Sequence, residues 1–409
     1  MSRRRIALLV ETSNAYARGL LTGIINYMRA HEHWSVEFPE QGRGELAADF
    51  LKQWRGDGLI ARIETPQIAR ALRRLRMPIV DLSAGRFLPH VPWFETDDVQ
   101  IARLALDHFR ERGLQRLAYV GDDRFNWSRW RREAFLQLAS EVGMSVDVLD
   151  VGTSGRSAAL TSRRLVKWIS RLKRPVGILT CYDLMGRMVL DACRETGMKV
   201  PGDAAVLGVD NDEFVCNLTT PPLSSVIPDA ERTGYRAAEH LARLMDARCA
   251  SDSKGERIAP LGISLRGSTD MLAVADPMLA ESMRWIQQHA MEGIQVADVL
   301  RHIPMSRRVF EAKFREQFQR TPHDEIQRIR LERVRQLLAS SDLSVGEIAL
   351  RCGYRHAEYM TVAFKRWTSQ TPRAFRQVLR GDVRPPPLPT RSRSTGGSRP
   401  AAGQRHKSR

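Results

Sequence analysis

Basic side chains at helical spacing, written out twice, carry the plainest chemistry in this 409-residue chain. One face presents Arg307, Arg308, Glu311, Ala312 and Arg315; a second presents Arg355, His356, Glu358, Thr361, Val362, Lys365 and Arg366. Arginine and lysine donate to guanine edges or phosphate oxygens, small apolar groups meet the thymine methyl, and an α-helix fits the major groove. A single basic helix face is ordinarily just solvated. Two copies in the same setting point to nucleic acid as the partner.

The elements that hold these faces follow from the residues between them. KFREQFQRTP (313–322) returns as AFKRWTSQTP (363–372), with Phe314 over Phe364, Arg315 over Lys365 and Thr321-Pro322 over Thr371-Pro372, at an offset of fifty residues. Phe310, Phe314 and Phe318 recur every fourth residue, while Met360, Ala363, Phe364 and Trp367 fall at i, i+3, i+4 and i+7. These are the expected buried stripes. Each helix follows a short apolar-periodic segment and a turn. The first has Val296, Val299, Leu300 and Ile303, then Pro304-Met305, with Ser306 as cap; the second has Val345, Ile348, Ala349 and Cys352, then Gly353-Tyr354. Two short helices around a tight turn read as a helix-turn-helix, present here twice.

Over residues 278–380 the sequence resembles the DNA-binding domain of AraC-type regulators, most closely in DLSVGEIALRCGYRHAEYMTVAFKRWTSQTPRAFR (342–376). The apolar helix 326–338 stands where that family has its linker helix. Pro304 replaces the glycine usual in the first turn, and Met360 the phenylalanine usual in the second recognition helix. Proline fixes φ at about −65°, so the first turn is expected to need no left-handed residue at 304. The resemblance implies a double-stranded operator as partner and Arg307, Arg308, Glu311, Arg315, Arg355, His356, Thr361, Lys365 and Arg366 as DNA-binding residues. It also leans toward activation, with RNA polymerase as a further partner.

The first 275 residues are of another kind. Short apolar strands at 35–38, 58–61, 78–82, 116–120, 145–149, 176–179 and 204–209 follow a first strand in RRIALLVE. Amphipathic helices are expected at 46–54, 68–75, 99–112, 129–142, 157–172 and 184–197, after a first one within TSNAYARGLLTGIINYMRAH. Such alternation predicts parallel sheets covered on both faces, an α/β fold. Residues 257–268 read as one last strand, and Asp276-Pro277 as the hinge to the all-α domain.

The order of elements in TDDVQIARLALDHFRERGLQRLAYVG, SRWRREAF and GILTCYDLMGRMVLDACRETGMKVPGDAAVLGVDND resembles the periplasmic-binding-protein-like sensor of lactose-repressor-type regulators, over residues 5 to about 270. This implies two α/β lobes, 5–113 plus a segment after 227, and 116–226, with a sugar in the cleft between them. It implies Tyr16, Arg18, Asp97, Arg131, Asp183 and Asp210 as ligand-facing residues. Carboxylates accept from adjacent hydroxyls, arginine donates to oxygens, and Trp93 or Trp127 can cover the apolar face of a pyranose. Plainer roles stand beside these: Asp97 as a helix cap, Asp210 as a turn former, Arg131 on the surface and the tryptophans in the core. The pairing of such a sensor with an AraC-type domain implies a monosaccharide effector, D-xylose first, and a homodimer assembled through the sensor.

Composition sets the outer bounds. The net charge is +17, with 18 Lys/Arg against 12 Asp/Glu in 276–380 and seven against one in 381–409, a balance that suits a polyanion. The domains expected are thus 1–275, 276–380 and a disordered basic tail, 381–409. Cys181, Cys193, Cys216, Cys249 and Cys352 show neither CxxC nor Cys/His metal spacing, which suits a reduced cytoplasmic protein without metal or cofactor. No apolar run reaches membrane-spanning length, and the apolar stretch 6–10 is too short for a signal peptide. The alternatives are an α/β enzyme acting on a sugar or nucleotide, and a DNA binder blind to ligand. Against the enzyme, the sequence has no P-loop, GxSxG, dinucleotide GxGxxG or HExxH.

Overall fold

The computed structural model describes residues 3–40, 42, 48–152, 158–246, 255–270, 276–318 and 320–379. The chain opens with β1 (Arg5–Leu9), α1 (Ala15–His31), β2 (Ser35–Glu37), α2 (Ala48–Gln53), β3 (Gly58–Ala61), α3 (Pro66–Leu72), β4 (Ile79–Asp81) and β5 (Phe94–Thr96). It crosses to a second lobe with α4 (Asp98–Glu111), β6 (Leu117–Gly121), α5 (Asn126–Glu141), β7 (Val146–Asp150), α6 (Ala158–Ile169), β8 (Val176–Thr180), α7 (Asp183–Glu195), β9 (Ala204–Val209), α8 (Glu213–Leu218) and β10 (Ser224–Ile227). It returns for α9 (Ala230–Met245) and β11 (Glu256–Ile258), then ends the sensor with β12 (Gly262–Ser264).

The first sheet runs β2-β1-β3-β4 in parallel, and a bridge from Asp81 to Trp93 leads on to the parallel pair β5 and β11. The second runs β12-β10-β9-β8-β6-β7, parallel apart from β12. Its central strands VGILT and AAVLGV are buried at every position, as strands covered on both faces must be.

Two sequence expectations are corrected. The lobe boundary falls at Asp97 and not at 113, because α4 turns Ile101, Ala105 and Phe109 into the second lobe's core beside Phe135 and Leu179. The single last strand is two, β11 in one sheet and β12 in the other, with Gly262 at φ 142° starting the second. Helix α9 was not anticipated. It completes the first lobe by packing on α1 so closely that a Cβ on Gly23 would stand 1.8 Å from the Glu231 carbonyl oxygen, and one on Gly234 1.9 Å from that of Leu20.

The all-α domain comprises α10 (Pro277–His289), α11 (Val296–Leu300), α12 (Arg307–Phe318), α13 (Pro322–Ser340), α14 (Val345–Arg351), α15 (Ala357–Thr368) and α16 (Pro372–Leu379). Two small cores hold it. Phe310, Phe314 and Phe318 pack with Met283, Val299 and Ile326; Met360 and Phe364 pack with Val334, Leu338, Ile348 and Cys352. Helix α13 therefore serves both modules, Ile326 in one and Val334 in the other. Capping boxes at Thr321/Asp324 and Ser344/Glu347 start α13 and α14. Pro304 has no positive φ, whereas Gly353, in the second turn, has φ 74°.

The two parts meet at the end of α4. Glu111 accepts from Arg320 at 3.2 Å and Arg328 at 3.0 Å, and both arginines also pair with Glu325. Asp276, expected in the hinge, caps α10 and pairs with Lys313 at 2.8 Å. Residues 271–275 and the tail 381–409 lie outside the described residues. Among those described, no helix is long and apolar enough to cross a membrane.

Candidate functional site: an effector cleft and two DNA-reading helices

The C-terminal ends of the sensor strands converge on a cavity of about 210 Å³ between the lobes, the place where open parallel sheets bind ligands. From the first lobe Tyr16, Arg62, Ser83, Glu95 and Thr96 line it; from the second come Asp98, Trp127, Arg131, Tyr182 and Asp210. Each lining guanidinium is held. Arg131 donates from Nε and Nη2 to Asp98 at 3.0 and 2.8 Å, and from Nη1 to the Cys181 carbonyl. Arg62 bonds Glu11 and Glu64, the latter at 2.6 Å.

Burial pushes Glu95 up to about 8, with the charge of Asp98 adding to it and Arg86 opposing. Burial also takes Tyr16 to about 12 and raises Asp98 against the pull of Arg131. The aromatic rings of Trp127 and Tyr182 meet edge to face at 5.9 Å and form an apolar wall.

Asp210 enters the cavity from a strained turn. Its φ is 109° and that of Asn211 is 50°, both in the left-handed region, at a cost of order 1–3 kcal/mol each that only a well-built surround sustains. That surround is visible. Ser225 Oγ accepts from Asn211 N at 3.0 Å and donates to Asp183 at 2.6 Å; Asp183 in turn accepts from Asp212 N at 2.7 Å, and Arg266 donates to the Asn211 side chain at 2.9 Å.

Of the residues expected to face a ligand, Tyr16, Arg131 and Asp210 are brought together here. The other three are placed elsewhere. Asp97 caps α4, accepting from Val99 N and Gln100 N at 3.0 and 3.2 Å, and the next residue, Asp98, turns into the cavity instead. Asp183 lies beneath the floor, supporting the 210–212 turn, because its carboxylate is taken by Ser225 and Asp212. Arg18 is exposed at the rim, donating to the Thr12 carbonyl at 2.9 Å and pairing with Asp212 across the lobes at 3.4 Å. Trp127 lines the cavity, but Trp93 is covered by Arg86 at 3.5 Å. Arg62, Glu95 and Asp98 went unrecognised. For Arg62 the available signal was its position directly after the buried strand GLIA.

On the DNA side, Arg308, Arg315, Arg355, His356, Lys365 and Arg366 are exposed, as the helical spacing predicts. Arg307 and Glu311 pair with each other at 2.8 Å on the same face, and Thr361 is half-buried. Trp367 departs from its expected place in the buried stripe, being 42% exposed while touching Phe364 edge-on. Tyr359, 71% exposed, joins the outward face without having been foreseen.

A two-lobed cleft lined by paired charges, joined to two helix-turn-helix modules with outward second helices, defines an effector-responsive DNA-binding regulator. Family profiles follow the same division: the XylR N-terminal domain matches residues 5–99, a periplasmic binding protein-like domain 106–269, and a helix-turn-helix domain 299–378. The xylose operon regulatory protein of Escherichia coli (strain K12) is 33% identical over 387 residues, 92% of this chain and 97% of that protein. The protein of the same name from Haemophilus influenzae is 29% identical over 381 residues, 91% and 98% of the two chains. The solved structure of the xylose-binding transcription activator xylR matches with a TM-score of 0.60 at 31% identity, covering 92% of this chain and 99% of that one. The chain belongs to the xylose operon regulatory protein family.

Proposed function

We propose that this protein is a cytoplasmic transcription activator whose effector is D-xylose, bound between the sensor lobes, and that it has no enzymatic turnover of its own. The observation that carries the reading is the cleft's chemistry. Arg62 and Arg131 are matched by Glu11, Glu64 and Asp98, so the site offers many oriented donors and acceptors to a neutral polyol and little net attraction to an anion. Trp127 and Tyr182 supply a wall for the apolar face of a sugar ring. Tyr16, Arg62, Glu95, Asp98, Arg131 and Asp210 are the contacts we assign, and the named relatives support xylose as the sugar.

The response reaches DNA along α4. Asp98 is its first residue and Glu111 its last, so one helix of 14 residues, about 20 Å long, joins the cavity to Arg320 and Arg328 of the DNA-binding domain. Closing the lobes on the sugar moves that helix and with it the docking of α13. Coupling of about 1–3 kcal/mol is the expected scale, since a ligand shifts an equilibrium only by its differential affinity. Phe214 and Leu218, 78% and 80% exposed on one side of α8, give the sensor an apolar patch for a second copy; a dimer would present four modules to the operator and an activating surface to RNA polymerase.

The test is a calorimetric and thermal-shift titration with monosaccharides, followed by footprinting. Saturation at 100 times the dissociation constant should stabilise the protein by about 2.7 kcal/mol. If D-xylose moves neither the melting temperature nor the footprint, the effector assignment is wrong; if the sugar is converted, the regulator-only reading is.

A further inference from the structure

The fifty-residue repeat allows the two recognition helices to be compared position by position. Arg308, Val309, Ala312 and Arg315 on α12 correspond to Glu358, Tyr359, Val362 and Lys365 on α15. The centre of the second face is therefore larger and more apolar. Tyr359 is 71% exposed and Val362 68%, against 45% for Val309. Their spacing, i and i+3, stacks the two side chains on one side of the helix. Tyr359 has the His356 ring beside it at 5.9 Å, and Arg355, Lys365 and Arg366 stand exposed around the pair.

A phenol and an isopropyl group left in water amid cations are held there for something that rewards apolar contact inside a polyanionic groove. In the major groove of B-DNA that feature is the C5 methyl of thymine; the remaining base-edge groups are hydrogen-bond donors and acceptors. Residues i and i+3 of a helix are about 4.5 Å apart along its axis, close to one base-pair step of about 3.4 Å. Two such side chains can thus meet methyls on neighbouring base pairs. On α12 the corresponding pair is shorter, and Arg308 and Arg315 are better suited to guanine.

We infer that the second module reads sequence through thymine methyl groups, with Tyr359 and Val362 packed on two neighbouring A·T pairs, while the first module reads guanine. The inference rests on the DNA-binding assignment and deepens it. Exposed as they are, neither residue holds the fold, so their substitution separates recognition from stability.

The experiment uses the full-length protein and a duplex selected by it from a random-sequence pool. Each thymine in the footprint is replaced singly by deoxyuridine, which removes only the methyl. Two neighbouring replacements in one half of the footprint should each weaken binding about fourfold, the scale of one buried methyl group. Val362→Ala should abolish the sensitivity at one of them and Tyr359→Ala at the other, with the melting temperature unchanged. The proposal is overturned if no deoxyuridine weakens binding more than twofold, or if both variants retain the wild-type pattern. Tyr359→Phe keeps the apolar ring and should bind as wild type; a large loss there would assign Tyr359 to phosphate instead. Failure to select any duplex would overturn the DNA-binding assignment as well, which distinguishes the two failures.

Discussion

The cleft and the DNA-reading helices use the same residue types in opposite settings. In the cleft Arg131 and Asp98 retain 6% and 8% side-chain exposure and hold each other in place; on α12 Arg307 is 69% exposed and shares Glu311 with solvent. A buried pair that loses one partner leaves an uncompensated charge, at about 3–5 kcal/mol, whereas a surface pair is worth about 0–1 kcal/mol. On the proposed function, sensing is thereby tied to stability, and DNA reading is not. The sensor must stay folded around its charges with or without sugar. The recognition helices can exchange theirs freely, which leaves operator preference open to change.

The largest effect expected from this contrast is in Arg131→Met. It should lower stability by about 3–5 kcal/mol and remove the sugar response, read by denaturant unfolding and calorimetry. A variant as stable as wild type would end the distinction at its strongest point. Arg315→Ala and Lys365→Ala should do the reverse, each losing about 1–3 kcal/mol of operator affinity in fluorescence anisotropy with unfolding changed by less than about 0.5 kcal/mol.

Asp97→Ala sharpens the comparison within the cleft itself. As a helix cap it should cost about 1 kcal/mol of stability and leave xylose affinity unaltered, while its neighbour Asp98 cannot be replaced without losing both. Equal sugar affinity in Asp97→Ala and a collapse in Asp98→Ala would settle which carboxylate faces the ligand; the opposite pattern would restore Asp97.

A further effect concerns pH. Glu95 is held at about 8 in the folded chain, above the ordinary value of about 4.3 for an unfolded glutamate. A raised carboxyl contributes stability that is fully present below the unfolded value and is lost as pH climbs through the folded one. Melting temperature should therefore fall between about pH 4.3 and 8 and level off above that, and Glu95→Gln should flatten that slope. An unchanged slope in the variant would mean that Arg86 keeps Glu95 ionised throughout.

The DNA-binding half was legible because its information is periodic. Phe310, Phe314 and Phe318 declare a buried stripe by spacing alone, and the second copy checks the first. The cleft has no such period. Its residues leave strands and enter helices, where a shift of one position exchanges a cap for a ligand contact; Asp97 and Asp98 are chemically identical and differ only in which way the first turn of α4 faces. Arg18 follows Tyr16 in the first turn of α1, but its side chain runs along the rim to Asp212 and not into the cavity. Residues 257–268 look like one strand because both halves are extended; only the two-lobed topology puts β11 and β12 in different sheets.

The contact between α1 and α9 has a consequence for how the protein is made. The first lobe closes on a helix that lies about two hundred residues further along the chain, and their backbones touch at Gly23 and Gly234. At about 5–20 residues per second of synthesis, that separation amounts to roughly 10–40 s. During this interval Leu20, Ile24 and the strand RIALL are on the ribosome without the surface that covers them. The second lobe, whose helices and strands from α4 to β10 are contiguous and lack only the edge strand β12, is expected to fold first while the N-terminal segment waits, dependent on chaperones, for α9 to emerge.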